Sequence, residues 1–297
     1  MSATLEVKTT QTREPYESTV FRQVEHKLSR PEARLFGDIV ARYQKNRPDI
    51  EGSDYSEEEK QLDSVRLRHR QSQAKQNTEI EKVHYIQAKI FEAVLSEIME
   101  LHWLPGSFIT ETSDFDDWIN GVDAVLELST DRGAILDFTS QEDPDKIKRK
   151  IETIFERIER GEMGEAKYFR SQVDGKNHHL KMLPMVVVGL SHKTVTELIE
   201  LYASGKKKEL ENHWVRYALA GELLAQIDIF QKYINNVHRR GYSAAPAQKM
   251  NQAYEDLRRV VAAFQQKISQ GEKIDQLIKQ RLAAVDPIYK NIMAAVS

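Results

Sequence analysis

The chain has 297 residues and nearly balanced charge, with 43 Lys and Arg against 46 Asp and Glu and a formal net charge of −3. This balance excludes binding of nucleic acid through a strongly basic field of the whole molecule, so any such attraction has to be local. The sequence contains no cysteine, which excludes disulfides, cysteine-ligated zinc, iron–sulfur clusters and a thiol nucleophile. Because the polar N-terminus lacks an apolar signal core and no apolar run is long enough to span a bilayer, we expect a cytoplasmic protein without membrane contact.

The first segment, residues 1–54, is predicted to contain a polar arm and one short helix. Residues 1–30 are rich in Thr, Ser, Gln and Glu, and we expect them to be mobile or loosely docked. Pro31 suits the first turn of a helix, and Ser29 is a suitable N-cap for it.

The second segment, residues 55–205, is predicted to be an α/β core with a long leading helix. A helical pattern covers residues 56–77, and a strongly amphipathic one covers residues 78–101, opening with the Thr-x-x-Glu spacing of a capping box. Three strands, a helix, a short strand, a longer strand and a helix follow at residues 108–110, 122–128, 134–139, 143–160, 167–172, 185–190 and 194–203. His178 and His179 are expected in an exposed loop before the last strand.

The third segment, residues 206–297, has the pattern of helix almost throughout. Apolar residues recur at heptad-like spacing over residues 210–237 and 246–293, on either side of a turn that contains Gly and Pro. We expect two antiparallel helices, with a third after Gly271, that form a bundle or the surface of a homodimer. The chain is therefore predicted to be α/β, of the mixed α+β kind, with an all-helical C-terminal region.

Two acidic residues occur in neighbouring apolar strands of the core. Asp123 opens the strand at residues 122–128, Asp137 lies within the strand at residues 134–139, and the short polar turn between the strands predicts an antiparallel hairpin. A buried carboxylate requires an ion pair or a metal ion, and carboxylate oxygens suit Mg²⁺ or Mn²⁺. Because paired strands lie about 4.8 Å apart, two carboxylates on one face can share a cation. The alternatives are a structural ion pair for Asp137 and a strand-start acid at Asp123.

The order helix, three strands, helix and strand, with acids at Asp123 and Asp137, resembles the PD-(D/E)XK nuclease superfamily over about residues 78–205. The resemblance implies a restriction-endonuclease-like core with a central mixed sheet flanked by helices. It also implies that both acids bind magnesium and that a lysine positions or activates the attacking water.

The lysine of this motif is replaced in the present chain. In the superfamily it follows the second acid by two positions, where this chain has Thr139. Some members carry the lysine on the next helix instead, so the resemblance implies this role for Lys150 or Lys146, with Lys167 as the weaker alternative.

Further acids are candidates for the same metal site. The resemblance implies an additional ligand on the preceding helix, where Glu92, Glu97 and Glu100 compete, and we favour Glu97 because it lies beside the apolar stripe. Glu127 shares the strand face of the first acid and is either a further ligand or a solvated residue at the rim. The acids at positions 114, 116 and 117 suggest a turn, one member of which can join the site.

We therefore predict a Mg²⁺- or Mn²⁺-dependent nuclease that hydrolyses phosphodiester bonds of nucleic acid, DNA rather than RNA. In this prediction Asp123, Asp137 and Glu97 are the metal ligands, and Lys150 or Lys146 lies near the attacking water. One alternative is a catalytically inactive, nuclease-like binding or scaffold protein whose helices form a partner surface. Another is an assembly factor that oligomerises through its C-terminal helices.

Overall fold

The computed structural model describes residues 16–40, 78–239, 244–271 and 286–296, except positions 105, 114 and 141, together with single positions between 57 and 65. The strands are β1 (Phe108–Glu111), β2 (Ala124–Ser129), β3 (Arg132–Thr139), β4 (Gly164–Arg170), β5 (Asn177–Leu183) and β6 (Met185–Gly189). The α-helices are α1 (Tyr16–Val24), α2 (Arg30–Leu35), α3 (Glu79–Ile98), α4 (Pro144–Glu159), α5 (His192–Ala203), α6 (Lys207–Glu211), α7 (Val215–Arg239), α8 (Ala244–Gly271) and α9 (Pro287–Ala295). Turns of π-helix follow α2 and α3 and precede β2, at Phe36–Val40, Met99–Trp103 and Asp116–Asn120.

A four-stranded sheet forms the centre of the fold, with the strand order β1-β2-β3-β6. β1 and β3 both run antiparallel to β2, and β6 joins β3 in parallel, so the sheet is mixed. All 5 residues of β6 are buried, as is typical of a strand with helices over both faces. The mixed sheet and its flanking helices confirm the predicted mixed α/β class.

The predicted hairpin of the two acidic strands is present as β2 and β3. Its pairing begins with Ala124 opposite Leu136, which leaves Asp123 just before β2. Asp137 lies within β3, in register with Val187 of β6. Both acids therefore lie near the end of the sheet where the parallel strands β3 and β6 terminate.

Side-chain caps fix where the helices that flank the sheet begin. Thr78 and Glu81 form the predicted capping box at the start of α3. The Asp143 side chain caps α4 by accepting a hydrogen bond from the Asp145 amide at 3.0 Å, and Ser191 caps α5. Each cap satisfies backbone N–H groups that have no partner inside the helix and stabilises it by about 1 kcal/mol.

Residues 1–30 are predicted to be mobile or loosely docked, and the part of this segment that the structure describes contains the docked helix α1. α1 packs against α3, and its residues Val20 and Val24 are buried. Two valines one turn apart form a narrow apolar stripe, which the polar composition of this segment conceals. Residues 1–15 and most of the helix predicted over residues 56–77 lie outside the described residues.

Residues 164–183 form a second, two-stranded sheet of β4 and β5 instead of one short strand followed by an exposed loop. His178 and His179, predicted in the loop, belong to β5. Leu180 and Leu183 point into the core, whereas the two histidines contact neighbouring acidic side chains at the surface. The strand has only these two fully buried residues, so its alternation is too weak to overcome its polar composition.

The C-terminal helices share one hydrophobic core with the sheet. The Gln226 side chain on α7 donates to the Val187 carbonyl at 2.7 Å and accepts from the Val187 amide at 2.8 Å. Both backbone polar groups of Val187, on the edge strand β6, thereby have a partner. The heptad-like positions are buried within the chain, and they include Leu219, Leu223, Ile227, Phe230, Tyr254, Leu257 and Val261. Every element described after residue 205 is helical, while the homodimer surface and the three-segment division stay predictions. No helix in the described ranges has the length and apolar character needed to cross a membrane.

Candidate functional site

The Asp137 carboxylate forms an ion pair with Lys150, which reaches it from the adjoining helix. Lys150 lies on α4 next to the buried isoleucines of that helix, so its side chain is directed towards the sheet. Its ammonium group also donates to the Phe138 carbonyl at 3.3 Å. The structure therefore brings Lys150 to the second acid, whereas Lys146 lies exposed one turn earlier.

Asp123 lies beside Asp137 at the same end of the sheet. Its Oδ2 accepts a hydrogen bond from the Phe138 amide at 2.8 Å, which attaches the loop acid to the strand that carries the other acid. Gly121, which ends the preceding turn, has a φ of 67°, a conformation that a residue without a Cβ adopts at no steric cost. The two carboxyl groups are close enough for each to affect the pKa of the other.

A second charged group, on α3 and on the turn before β2, lies next to the aspartates. The Lys89 Nζ lies 2.8 Å from the Glu92 Oε2 and 3.7 Å from the Asp117 Oδ2. These side chains are recessed but reach solvent, with exposed fractions of 15%, 21% and 16% in the same order. Glu92 and Asp117 both act electrostatically on Asp123, so they belong to the same site.

Burial is the main influence on the pKa values of the two aspartates. It raises the pKa of Asp123 well above its usual range, and the negative charges of Glu92 and Asp137 add to the rise. Burial also raises the pKa of Asp137, although the ammonium group of Lys150 counteracts it. For Lys150, burial disfavours the charged form, but the surrounding carboxylates outweigh burial and raise its pKa. Burial therefore opposes ionisation of both aspartates, most strongly at Asp123, while the carboxylates favour the charged form of Lys150.

The charges of the site do not balance. Its four carboxylates and two ammonium groups, named here the acidic cluster, belong to Glu92, Asp117, Asp123, Asp137, Lys89 and Lys150. Fully ionised, the cluster carries two more negative than positive charges. Such an excess in a recessed site is unfavourable unless protons or a cation neutralise it, and one divalent cation supplies the matching charge.

The donor set of the acidic cluster fits a hard divalent cation such as Mg²⁺ or Mn²⁺. Carboxylate oxygens are the ligands that these ions prefer, and Asp123 and Asp137 present two carboxylates side by side. Among the residues that the structure describes, no group of three or more His, Asp or Glu side chains converges as a complete ligand set. Asp123 and Asp137 are thus the residues that would hold the ion, and Glu92, turned towards Lys89, is the helix acid next to them.

The structure places Glu92, and not the predicted Glu97, beside the two aspartates. Glu97 accepts a hydrogen bond from the Tyr202 hydroxyl group and lies near Glu100 on the other side of α3. Glu100 in turn accepts a hydrogen bond from the Ile109 amide at 3.1 Å. The burial of Glu97 beside the apolar stripe therefore reflects a hydrogen bond in the core and not a place in the acidic cluster.

The remaining candidates from the sequence also have contacts elsewhere. The Lys167 ammonium lies over the ring of Tyr168, 5.3 Å from its centroid. Glu127 is buried and accepts hydrogen bonds from the hydroxyl groups of Thr110 and Ser171, each at 2.5 Å. These contacts engage both side chains outside the acidic cluster.

Two side chains hold the turn before β2: Asp116, from the acidic turn predicted at positions 114, 116 and 117, and Arg157, which the sequence did not single out. Asp116 accepts hydrogen bonds from the amides of Lys167 and Tyr168 at 2.8 and 2.9 Å, and the Arg157 guanidinium donates to the Asn120 carbonyl at 3.1 Å. These bonds join residues 37, 51 and 52 positions apart, so no local sequence pattern could have identified them.

Comparison with known proteins adds no relative to this description. No protein-family model, curated protein or solved structure matches the chain. The chemistry of the acidic cluster and the elements that position it are therefore the grounds for proposing a function.

Proposed function

We propose that this chain is a divergent metal-dependent nuclease of the PD-(D/E)XK type, with a restriction-endonuclease-like core and Mg²⁺ or Mn²⁺ as cofactor. The observation that carries the proposal is the contact of Lys150 with Asp137, next to Asp123. It supports a lysine moved from the strand to the following helix, where Thr139 occupies the usual position. The element order of α3, β1 to β3, α4 and β6 gives further support.

The roles of the residues follow from their positions. Asp123 and Asp137 would hold the cation, which when bound lowers the pKa of a water ligand and neutralises charge on the scissile phosphate. Lys150 donates hydrogen bonds at the edge of this pair. Because its pKa is raised above the usual range by the neighbouring carboxylates, which outweigh burial, it stays charged at neutral pH. Lys150 is therefore a donor that orients water or stabilises a developing oxyanion, and not a general base.

The experiment is a cleavage assay on labelled single- and double-stranded DNA and RNA with Mg²⁺ or Mn²⁺. We expect Asp123→Asn, Asp137→Asn and Lys150→Met each to lower the rate by about 100-fold or more, the usual effect of removing one such electrostatic group. Lys148→Met is the matched control, because Lys148 lies on the same helix but contacts only Glu152, at 3.7 Å, among the described acids. It should leave the rate unchanged.

Circular dichroism and thermal unfolding establish that each variant is folded. Absence of cleavage on every substrate with either metal, in a folded wild-type protein, would contradict the proposal. The same result would favour the catalytically inactive binding or scaffold protein. If cleavage is present, the ratio of DNA to RNA rates decides the expected preference for DNA.

A further inference from the structure

One face of α4 carries a row of basic residues that leads out of the acidic cluster. Lys150 lies four positions after Lys146 and seven before Arg157, which places these three side chains along one face, and Arg149, three positions after Lys146, borders that face. The buried side of the helix adjoins this face at Lys150 and consists of Ile147, Ile151, Ile154 and Ile158. We call the four cationic residues the basic face.

Two members of the basic face belong to the candidate site. Lys150 contacts Asp137, and Arg157 donates to the Asn120 carbonyl in the turn that leads to Asp123. The basic face therefore borders the two aspartates along part of its length. Any phosphate placed at the aspartates lies at the edge of this helix.

The other two members, Lys146 and Arg149, have no described contact with the candidate site. Both are exposed, and neither side chain makes a hydrogen bond or ion pair with another residue of the part of the chain that the structure describes. The exposed lysine on a different side of the helix, Lys148, is by contrast paired with Glu152. Two unpaired cations beside a recessed anionic site are available for an anionic ligand.

The spacing and surroundings of these cations suit a chain of phosphates. At 1.5 Å per residue, the positions of Lys146 and Lys150 are about 6 Å apart along the helix axis, so the row extends in one direction from the site. An arginine binds a phosphate through two parallel hydrogen bonds, which a lysine cannot do. Exposed acids border the row on the side away from the core, at Asp145, Glu152, Glu156 and Glu159. This acidic border confines a polyanion to the basic face.

We infer that Lys146 and Arg149 bind backbone phosphates of the nucleic-acid strand that enters the site, so that the strand runs along the basic face of α4. The inference rests on the proposed function and names the surface on which its substrate lies. The net charge of −3 agrees with a local basic row as the means of attraction. The contacts are to phosphates, so they position the strand without reading its sequence.

The test measures binding separately from cleavage, in the Asp137→Asn background with fluorescein-labelled single- and double-stranded oligonucleotides. Fluorescence anisotropy over a series of salt concentrations gives the dissociation constant and its salt dependence. The test variant adds Lys146→Ala and Arg149→Ala. The matched control adds Lys148→Ala and Arg259→Ala, which remove the same charge from outside the basic face, at residues paired with Glu152 and Glu255.

We expect the test variant to bind at least tenfold more weakly at low salt. The slope of log K against log salt should become shallower by about 0.7 to 0.9 for each lost phosphate contact. The control should keep the affinity and slope of its background. Equal binding by test and control variants would overturn the inference, as would a lack of binding to every oligonucleotide.

The outcome is separable from that of the proposed function. Cleavage by the wild-type chain together with equal binding by both double variants removes the inference and leaves the nuclease proposal. If the wild-type chain cleaves no substrate but the test variant alone loses binding, the inference is supported and the nuclease proposal is contradicted.

Discussion

At the scale of single residues, Asp116 determines where the first candidate ligand is held. Its buried carboxylate accepts hydrogen bonds from the side chains of Ser113 and Asn120, at 2.9 and 2.7 Å, within its own turn. It also accepts hydrogen bonds from the amides of Lys167 and Tyr168 in β4. One side chain thus ties the turn before β2 to the second sheet, so it is a positioning residue for the aspartate that follows.

Replacement of this side chain should cost considerable stability. Asp116→Ala leaves buried donors without an acceptor, and we expect the free energy of unfolding to fall by about 2–4 kcal/mol. Urea denaturation followed by circular dichroism measures the change. Asp131→Ala, at an exposed turn where the side chain is 83% accessible, is the control and should change stability by less than about 0.5 kcal/mol.

An equal effect of the two substitutions would contradict the positioning role of Asp116. Divalent-cation affinity provides a readout that a purely structural role would not change. It should fall in the Asp116 variant under conditions where the variant remains folded, because the turn no longer holds Asp123 against Phe138.

At the scale of elements, the sequence predicts best those that combine strong periodicity with a side-chain cap. α4 has isoleucines at helical spacing and an Asp-Pro start, and the structure places it at Pro144–Glu159 against the predicted 143–160. The hairpin of β2 and β3 follows equally from two apolar runs and a short turn. Asp137 and Lys150 lie on these elements, which is why one strand acid and one helix lysine could be proposed together.

The sequence could not decide which acid of α3 faces the aspartates. An apolar stripe shows which side of a helix is buried, but Glu92 and Glu97 lie on its two opposite margins. Only the packing of α3 on the sheet distinguishes these margins, and it turns Glu92 towards Lys89 and Glu97 towards Tyr202. The strand β5 was missed for a similar reason. Its alternation of buried and exposed residues is too short to predict a strand, and its pairing with β4 is visible only in the structure.

At the scale of the whole molecule, one buried acid lies where α7, β6 and α9 meet. Glu222 is 0% exposed, and neither of its carboxyl oxygens has a hydrogen-bond partner of ordinary geometry among the described residues. Burial raises its pKa well above the usual range, and the negative charge of Asp286 adds to the rise, against a smaller opposing effect of the Gly189 backbone. Asp286 itself accepts hydrogen bonds from the amides of Ile288 and Ser191.

This acid should make the stability of the whole fold depend on pH. Because its folded-state pKa lies above the ordinary value of 4.5, protonation favours the folded state. The stabilisation of the folded state that comes from this raised pKa is fully present below pH 4.5. It is lost as the pH rises through the folded-state pKa, and the free energy of unfolding falls by up to about 1.4 kcal/mol per pH unit. We expect Glu222→Gln to remove this dependence.

Urea denaturation of wild type and Glu222→Gln between pH 4.5 and 8 measures the difference in unfolding free energy directly. Titration of all other groups cancels in that difference. The wild-type protein should lose stability relative to the variant as the pH rises. Stability curves that stay parallel over this range would show that Glu222 is ionised in the folded state and would contradict the account.

The central claim is that Asp123 and Asp137, with Lys150 beside them, form a site for a divalent cation. Isothermal titration of Mn²⁺ into the wild-type chain, Asp123→Asn and Asp137→Asn tests it without any assumption about the substrate, with Asp131→Asn as the control. We predict that the wild type and the control each bind one Mn²⁺. Loss of a residue that only hydrogen-bonds to a metal ligand lowers metal affinity by about 10–100-fold, and each test variant should lose more affinity than that. Equal Mn²⁺ binding by all four proteins, or none by the wild type, would contradict it.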